Sequence, residues 1–372
     1  MLIAIINIVT LSQIVFFTIF LLFKRSNRIS NKLLISFLVA QGFVYINNLG
    51  FLFYDFVYAN FPHLFFIGQA FMFLWSPLLY LYVCSLTKNN FRFNVKLLPH
   101  FIPFLAVFIF IFFAFYIHDA DSKRHIMDTN NISLYFKIYQ AFMNLQILIY
   151  MIFAMIRVHQ FGIQLKYNFA TLDKINLSWL RILLYCYMVA WLVTLVVYIM
   201  QWILINPPEF LMVLVFLFFL TFINIIVFKA LTTPEIFYTI DLLAREKRKS
   251  LSENKRQQYM MKLEKYVQEH KPYLSSTINL NELADMVDIP PRSLSEVIND
   301  SFNQTFFDFI NSYRIEEAEE LLFASKDPAI TVSEVLYKVG YNSKSSFYSA
   351  FKKFKGYSPT QLKQAKKISS SS

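Results

Sequence analysis

Seven apolar runs, each about the 20 residues needed to cross a hydrocarbon core, constrain this chain more than any other feature. They lie near residues 2–23, 33–54, 63–86, 97–117, 134–156, 180–204 and 209–231. With 56% hydrophobic and only 16% charged residues, the composition is far from a soluble globular balance and makes an integral membrane protein the default class. The first run is read as a retained anchor, because no basic segment precedes it and no A-x-A site follows it.

The basic residues between the runs alternate. Lys24, Arg25, Arg28 and Lys32 follow the first run, Lys88, Arg92 and Lys96 the third, and Arg157, Lys166, Lys174 and Arg181 the fifth. The other loops offer Asp55, then Lys123, Arg124 and Lys137, and finally Glu209. The excess of Lys and Arg predicts a cytoplasmic side for the first set, an extracytoplasmic amino terminus, and a cytoplasmic location for everything after Phe228. A multi-pass location in the cell's inner (cytoplasmic) membrane is expected, with the lipid bilayer as an obligatory partner.

Pro77, Pro99 and Pro103 are expected to bend the third and fourth spans, since proline removes a backbone donor. Asn7, Asn47, Asn48, Gln69, Gln140, Asn144 and Gln201 fall in the outer half of the spans. Amides in lipid are used chiefly for helix-to-helix hydrogen bonds. The competing reading is an outward-facing ligand pocket built from Asn47, Asn48, Gln69, Gln140, Asn144 and Gln201, receiving a small-molecule or membrane cue. His63, His100, His118, His125 and His159 are scattered near span ends, and Cys84 and Cys186 lack metal-ligand or CxxC spacing. No carboxylate pair or HExxH motif appears in the spans, so neither an enzyme nor a metal or other cofactor is expected.

Beyond Thr232 the composition changes. Residues 1–240 hold 15 Lys and Arg against 7 Asp and Glu, whereas residues 241–372 hold 20 against 17. Three parts follow: a seven-span domain (1–231), a stem (232–272) and a helical cytoplasmic domain (273–368). The stem carries a basic run, Arg245 to Lys249, and a helix from Glu253 to His270 whose Tyr259, Leu263, Tyr266, Val267 and His270 share one face. "NLNELADMV" starts with Asn279 as cap and Glu282 three residues later, and Pro290 and Pro291 open the next helix, "PRSLSEVINDSF". "TVSEVLYKVG" repeats the design with Thr331, Glu334 and an exit at Gly340, followed by "SKSSFYSAFKKF". Two helix-turn-helix units are thus predicted. A long amphipathic helix, "TFFDFINSYRIEEAEELLFA", joins them, with Phe306, Phe309, Ile310, Tyr313, Ala318 and Leu321 inward.

A connecting helix of about 19 residues spans about 28 Å, close to the roughly 34 Å between successive major grooves on one duplex face. In the second unit Phe347, Phe351 and Phe354 face inward, leaving Lys344, Ser345, Tyr348, Ser349 and Lys352 outward and Lys353 and Lys355 near phosphates. The matching set in the first unit is Arg292, Ser295, Glu296 and Asn299. The acidic run Glu316, Glu317, Glu319 and Glu320 must point elsewhere if double-stranded DNA is the partner. The bland alternative is a pair of solvated amphipathic faces, lysine-rich in the second unit.

These residues resemble the AraC-type, or arabinose-regulator-like, DNA-binding domain over roughly residues 274–362. The resemblance is carried by Leu283, Ala284, Leu294, "FINSYRIEEAEELL" with Arg314 and Ala318, and above all "VGYNSKSSFYSAFKKFKGYSP" with Gly340, Phe347, Phe351, Lys352, Gly356 and Pro359. It implies two reading helices inserted in successive major grooves. A weaker similarity, in "SPLLYLYV" and "HFIPFL", is to a bacterial subgroup in which membrane helices precede this domain. Departures are Leu336 where a small residue is usual, Asp288 at the turn glycine and Pro290 at the capping serine. Loss of that cap costs about 1 kcal/mol locally.

The expected fold is therefore all-α, a seven-helix transmembrane bundle followed by a cytoplasmic all-α domain with two helix-turn-helix units. The expected function is a membrane-embedded, sequence-specific transcriptional regulator coupling a membrane or extracytoplasmic cue to gene expression; its oligomeric state is open, with a homodimer on paired sites one option. In the rival reading a receptor or transporter uses the same tail to bind a protein.

Overall fold

The computed structural model describes residues 1–23, 29–88, 91–128, 132–172, 177–203, 207–232, 251–324 and 330–370. Lys24, Arg25, Arg28, Lys174 and the Arg245 to Lys249 run of the stem lie outside the described residues. Regular structure among the described residues is helical, apart from one isolated antiparallel bridge between Phe169 and Asn279. The chain divides into two units, residues 1–159 with 178–238, and residues 160–177 with 239–372.

The first unit contains α1 (Leu2–Phe23), α2 (Ile29–Leu52), α3 (Tyr54–Asn60), α4 (Met72–Thr87), α5 (Ile102–Ile111), α6 (Ala120–Asp128), most of α7 (Ile132–Asn168), α8 (Ser178–Trp202) and α9 (Glu209–Thr232). Among the described residues, six stretches are long and apolar enough to cross a membrane: Leu2–Phe23, Ile29–Leu52, Val95–Tyr116, Phe136–Asn168, Ser178–Trp202 and Glu209–Thr232. Their apolar residues are not confined to an inner face. Phe20, Phe110, Ile182 and Phe228 are exposed, an arrangement suited to a hydrocarbon surround.

The third expected span, residues 63–86, is an apolar helix over part of its length. Its α-helical part is only Met72–Thr87, shorter than the six crossing stretches. A 3-10 turn, Pro62–Leu64, precedes it, and Phe66 takes a left-handed φ of 62°. Gly68 lies so close to α2 that a Cβ would sit 2.5 Å from the Phe43 carbonyl oxygen. This backbone cannot continue as α-helix.

The fourth span is not one continuous α-helix. Val95–Phe101, which contains Pro99, is 3-10; α5 follows, and Phe112–Tyr116 widens to a π-turn. Pro77 sits inside α4 without ending it. The fifth span is longer than the apolar run implies. α7 has 37 residues, so it extends over about 55 Å. Its Arg157 caps the end of α4, donating from Nε to Thr87 Oγ1 at 3.0 Å and from Nη2 to Thr87 O at 2.7 Å.

Two helix-to-helix hydrogen bonds in this unit come from amides other than those singled out by depth. Asn224 Nδ2 donates to Gln13 Oε1 at 2.8 Å, and Gln146 Nε2 to Phe73 O at 2.9 Å. Asn7 and Asn144 donate within their own helices, to Ile3 O and Gln140 O.

The second unit begins with the end of α7 and the segment after it, and continues with α10 (Glu253–His270), α11 (Leu280–Met286), α12 (Pro291–Phe302), α13 (Phe306–Ala324), α14 (Val332–Lys338), α15 (Lys344–Lys355) and α16 (Pro359–Ser370). It has two cores. Leu263 and Val267 of α10, Leu283 and Ala284 of α11, Leu294, Val297 and Ile298 of α12, and Phe306, Phe309 and Ile310 of α13 form the first. Ile315, Ala318 and Leu322 from the far half of α13 join Val335 and Leu336 of α14 and Phe347, Ala350 and Phe351 of α15 in the second. The inward face of α10 is thus part of the first core.

Candidate nucleic-acid interface

Both turns are built by the same local chemistry. Asn279 Oδ1 accepts from Glu282 N at 3.0 Å to start α11, and Thr331 with Glu334 closes a full capping box at the start of α14. At the first turn Asp288 has φ 48° and Ile289 N donates to Ala284 O at 3.0 Å. At the second Gly340 has φ 85° and Tyr341 N donates to Leu336 O at 3.0 Å. Asp288 bears the left-handed conformation with a side chain attached, and Lys262 Nζ contacts its carbonyl oxygen at 3.2 Å. Gly340 has no such latitude, since a Cβ there would lie 2.7 Å from Leu274 O.

The second helices start differently. Ser343 Oγ caps α15 by accepting from Ser346 N at 3.2 Å, whereas Pro290 gives α12 no side-chain cap. Pro291 at the first helical position lacks an N–H, which removes one donor that would need a cap. Leu336 fills the second core completely buried, so its size is accommodated.

On α15, Lys344, Ser345, Ser349 and Lys352 are exposed. Tyr348 is half-buried and its hydroxyl lies 3.0 Å from Thr360 Oγ1 of α16. Two further cations expected near phosphates are already paired. Lys353 Nζ is 2.5 Å from Asp308 Oδ1, and Lys355 Nζ is 2.5 Å from Glu319 Oε2. On α12, Arg292 is exposed while Ser295 and Asn299 are half-buried. Glu296 points outward from the core, but its Oε1 accepts from Leu251 N at 2.8 Å, so it closes the approach to α10.

Two of the four carboxylates in the acidic run on α13, Glu317 and Glu319, have specific partners, while Glu316 and Glu320 are exposed. Burial raises the Glu317 carboxyl, but bonds from Lys271 and Tyr273 outweigh it and hold the group below its ordinary range. Bonds from Lys355 and Tyr357 hold Glu319 low in the same way. Both carboxylates are thereby spent within the domain rather than left to repel a polyanion.

Arg314 occupies the joint between the two cores. It is fully buried, and donates from Nε to Tyr273 O at 2.7 Å, from Nη2 to Ser275 O at 2.7 Å and from Nη1 to Thr171 Oγ1 at 3.1 Å. Burial pulls its guanidinium down to about 10, so it remains a cation at neutral pH. Asn311 is buried one turn earlier, with Nδ2 on Phe307 O and Ala170 O. Apolar periodicity marks neither residue as inward, yet Ile310, Arg314 and Ala318 repeat at i and i+4 and carry the signal.

Of the six residues considered for a ligand in the spans, Asn47, Gln69 and Asn144 are buried, Asn48 and Gln140 half-buried and Gln201 exposed. Gln69 lines a cavity of about 560 Å³ with Phe73, Pro103, Phe110 and Tyr139. The other five are not among its lining residues.

Residues 283–365 match the family model described as a helix-turn-helix domain. Among solved structures, the C-terminal domain of AraT, a response regulator from Geobacillus stearothermophilus, is 28% identical over 29% of this chain and 84% of that one, with a TM-score of 0.26. A protein of unknown function from Listeria innocua is 25% identical over 28% of this chain and 95% of that one, with a TM-score of 0.25. No curated protein matches the chain. Residues 283–365 of this chain are an AraC-type helix-turn-helix domain.

Proposed function

We propose that the chain is a membrane-embedded, sequence-specific DNA-binding transcriptional regulator whose α12 and α15 enter successive major grooves. The observation that carries this reading is the repeated geometry at the two ends of α13. Each end holds a helix, a left-handed turn residue and a second helix with a solvent-facing polar side, over a rod of 19 residues, about 28 Å. Lys344, Ser345, Ser349 and Lys352 supply the contacts of α15, with Tyr348 at its margin; Arg292, Ser295 and Asn299 supply those of α12. The uncapped start of α12 makes it the weaker partner.

The membrane part is supported by the six apolar stretches and by the side-biased cations. In this reading the amino terminus is extracytoplasmic, the DNA-binding domain cytoplasmic, and two copies pair on the site. A small-molecule or lipid-borne cue acts on the membrane unit, and the cavity beside Gln69 is where an apolar ligand with one polar group would fit.

The test is the salt dependence of affinity for selected duplexes. Lys344→Glu with Lys352→Glu should weaken binding and flatten the slope of log K against log salt by about 0.9 for each phosphate no longer neutralised. An unchanged slope would point instead to a protein partner for the tail.

A further inference from the structure

Three segments distant in sequence meet at the joint of the second unit. Phe169, just after α7, forms an antiparallel bridge with Asn279, the cap residue of α11. Ala170 is buried in the first core, and its carbonyl accepts from Asn311 Nδ2 at 3.0 Å. Thr171 Oγ1 accepts from Arg314 Nη1 at 3.1 Å, while the same guanidinium binds Tyr273 O and Ser275 O and faces the Tyr341 ring. Phe169–Thr171 therefore bends at Ala170 and lies across the place where α13 passes from one core to the other, held by a main-chain bridge and two buried polar side chains.

This segment is the direct continuation of α7, which runs unbroken from Ile132 to Asn168 and whose earlier residues belong to the membrane unit. The exposed side chains of α15 remain exposed with the segment in place. It does not mask the reading face.

We infer that Phe169–Thr171 is a docking segment that holds α12 and α15 in the arrangement able to bind one duplex, and that displacement of α7 withdraws it. The inference rests on the DNA-binding reading above. Withdrawal leaves Arg314 and Asn311 each one partner short and uncovers the site of Ala170. The angle between the two helix-turn-helix units then loosens while each keeps the remainder of its core. A cue acts on affinity through this route only by its differential preference for the seated form.

The test uses the full chain in lipid nanodiscs and duplexes that the wild-type chain enriches from a random-sequence pool. Ala170→Glu cannot be seated in a core. It should weaken binding by at least about fivefold and speed amide exchange over residues 273–281. Thr171→Val, which removes one acceptor, should give a smaller change of the same sign, and it carries the comparison if Ala170→Glu fails to fold. Phe169→Cys with Asn279→Cys, in a chain with Cys84 and Cys186 replaced by Ser, should cross-link within one chain and, once cross-linked, bind at least as tightly as the same chain in reduced form. Faster exchange with unchanged affinity would overturn the inference and leave the DNA-binding reading intact, and so would a cross-link formed only between chains. A wild-type chain that enriches no duplex would overturn that reading itself, and this proposal with it.

Discussion

The Arg314 guanidinium carbon lies 5.4 Å from the centroid of the Tyr341 ring, which ties the middle of α13 to the turn of the second helix-turn-helix unit. A buried cation is costly unless its donors are satisfied. Here main-chain oxygens of Tyr273 and Ser275 accept from it, so the connection between the two halves is polar and directional rather than merely apolar.

Replacing Arg314 by Ala should therefore destabilise the domain by about 2–4 kcal/mol, because two buried carbonyls lose their partner and a cavity remains. Urea unfolding of the wild-type and variant chains measures it. A loss below about 0.5 kcal/mol, the range of ordinary surface changes, would show that the joint is held by apolar packing alone.

The two turns should respond oppositely to substitution. Gly340→Ala places a Cβ against Leu274 O at a φ that favours glycine and should cost about 1–3 kcal/mol. Asp288→Gly relieves a positive φ at an exposed position and should raise stability by up to about 1 kcal/mol, less whatever the surface contact with Lys262 contributes. Thermal unfolding of both variants gives the signs.

Lys352 and Lys353 are neighbours with different expected roles. Lys352 is exposed, whereas Lys353 is paired to Asp308. Lys352→Ala should reduce the salt slope of DNA binding by about 0.9, and Lys353→Ala should leave it nearly unchanged. Equal slopes for the two variants would mean that the Asp308 pair opens on DNA.

Acid should loosen the contact between α13 and the end of α15. The Glu319 carboxyl is held below its ordinary range by Lys355 and Tyr357. Its contribution is present above the unfolded carboxyl value and is lost as pH falls through the lower folded value. Glu319→Gln should flatten the acid limb of the stability curve, and an unaltered limb would exclude this pair as a source of it.

Much of this architecture can be read from residue order, for identifiable reasons. Apolar runs predict helices well where nothing interrupts the backbone, as in α1 and α9. They fail at residues 62–71, where composition still looks helical but Gly68 is pressed onto Phe43 O and Phe66 is left-handed. The length of α7 beyond its apolar run is also hidden, because its polar end is supported by tertiary contacts. Helix starts at Asn279 and Thr331 are legible because capping is local chemistry. The partners of Glu296, Lys353 and Lys355 are not, since each pairs with a residue on another element or beyond the helix start. The docking of Phe169–Thr171 on Asn279, Asn311 and Arg314 joins residues more than a hundred positions apart, and no periodicity announces it.

The most direct measurement is a footprint of the full-length chain in lipid nanodiscs on a duplex enriched from a random-sequence pool. Each bound domain should protect two major-groove segments centred about 10 base pairs apart on one face. Lys344→Glu with Lys352→Glu should abolish protection of one segment and weaken the other. Protection of a single segment per domain, or of none, would contradict the account.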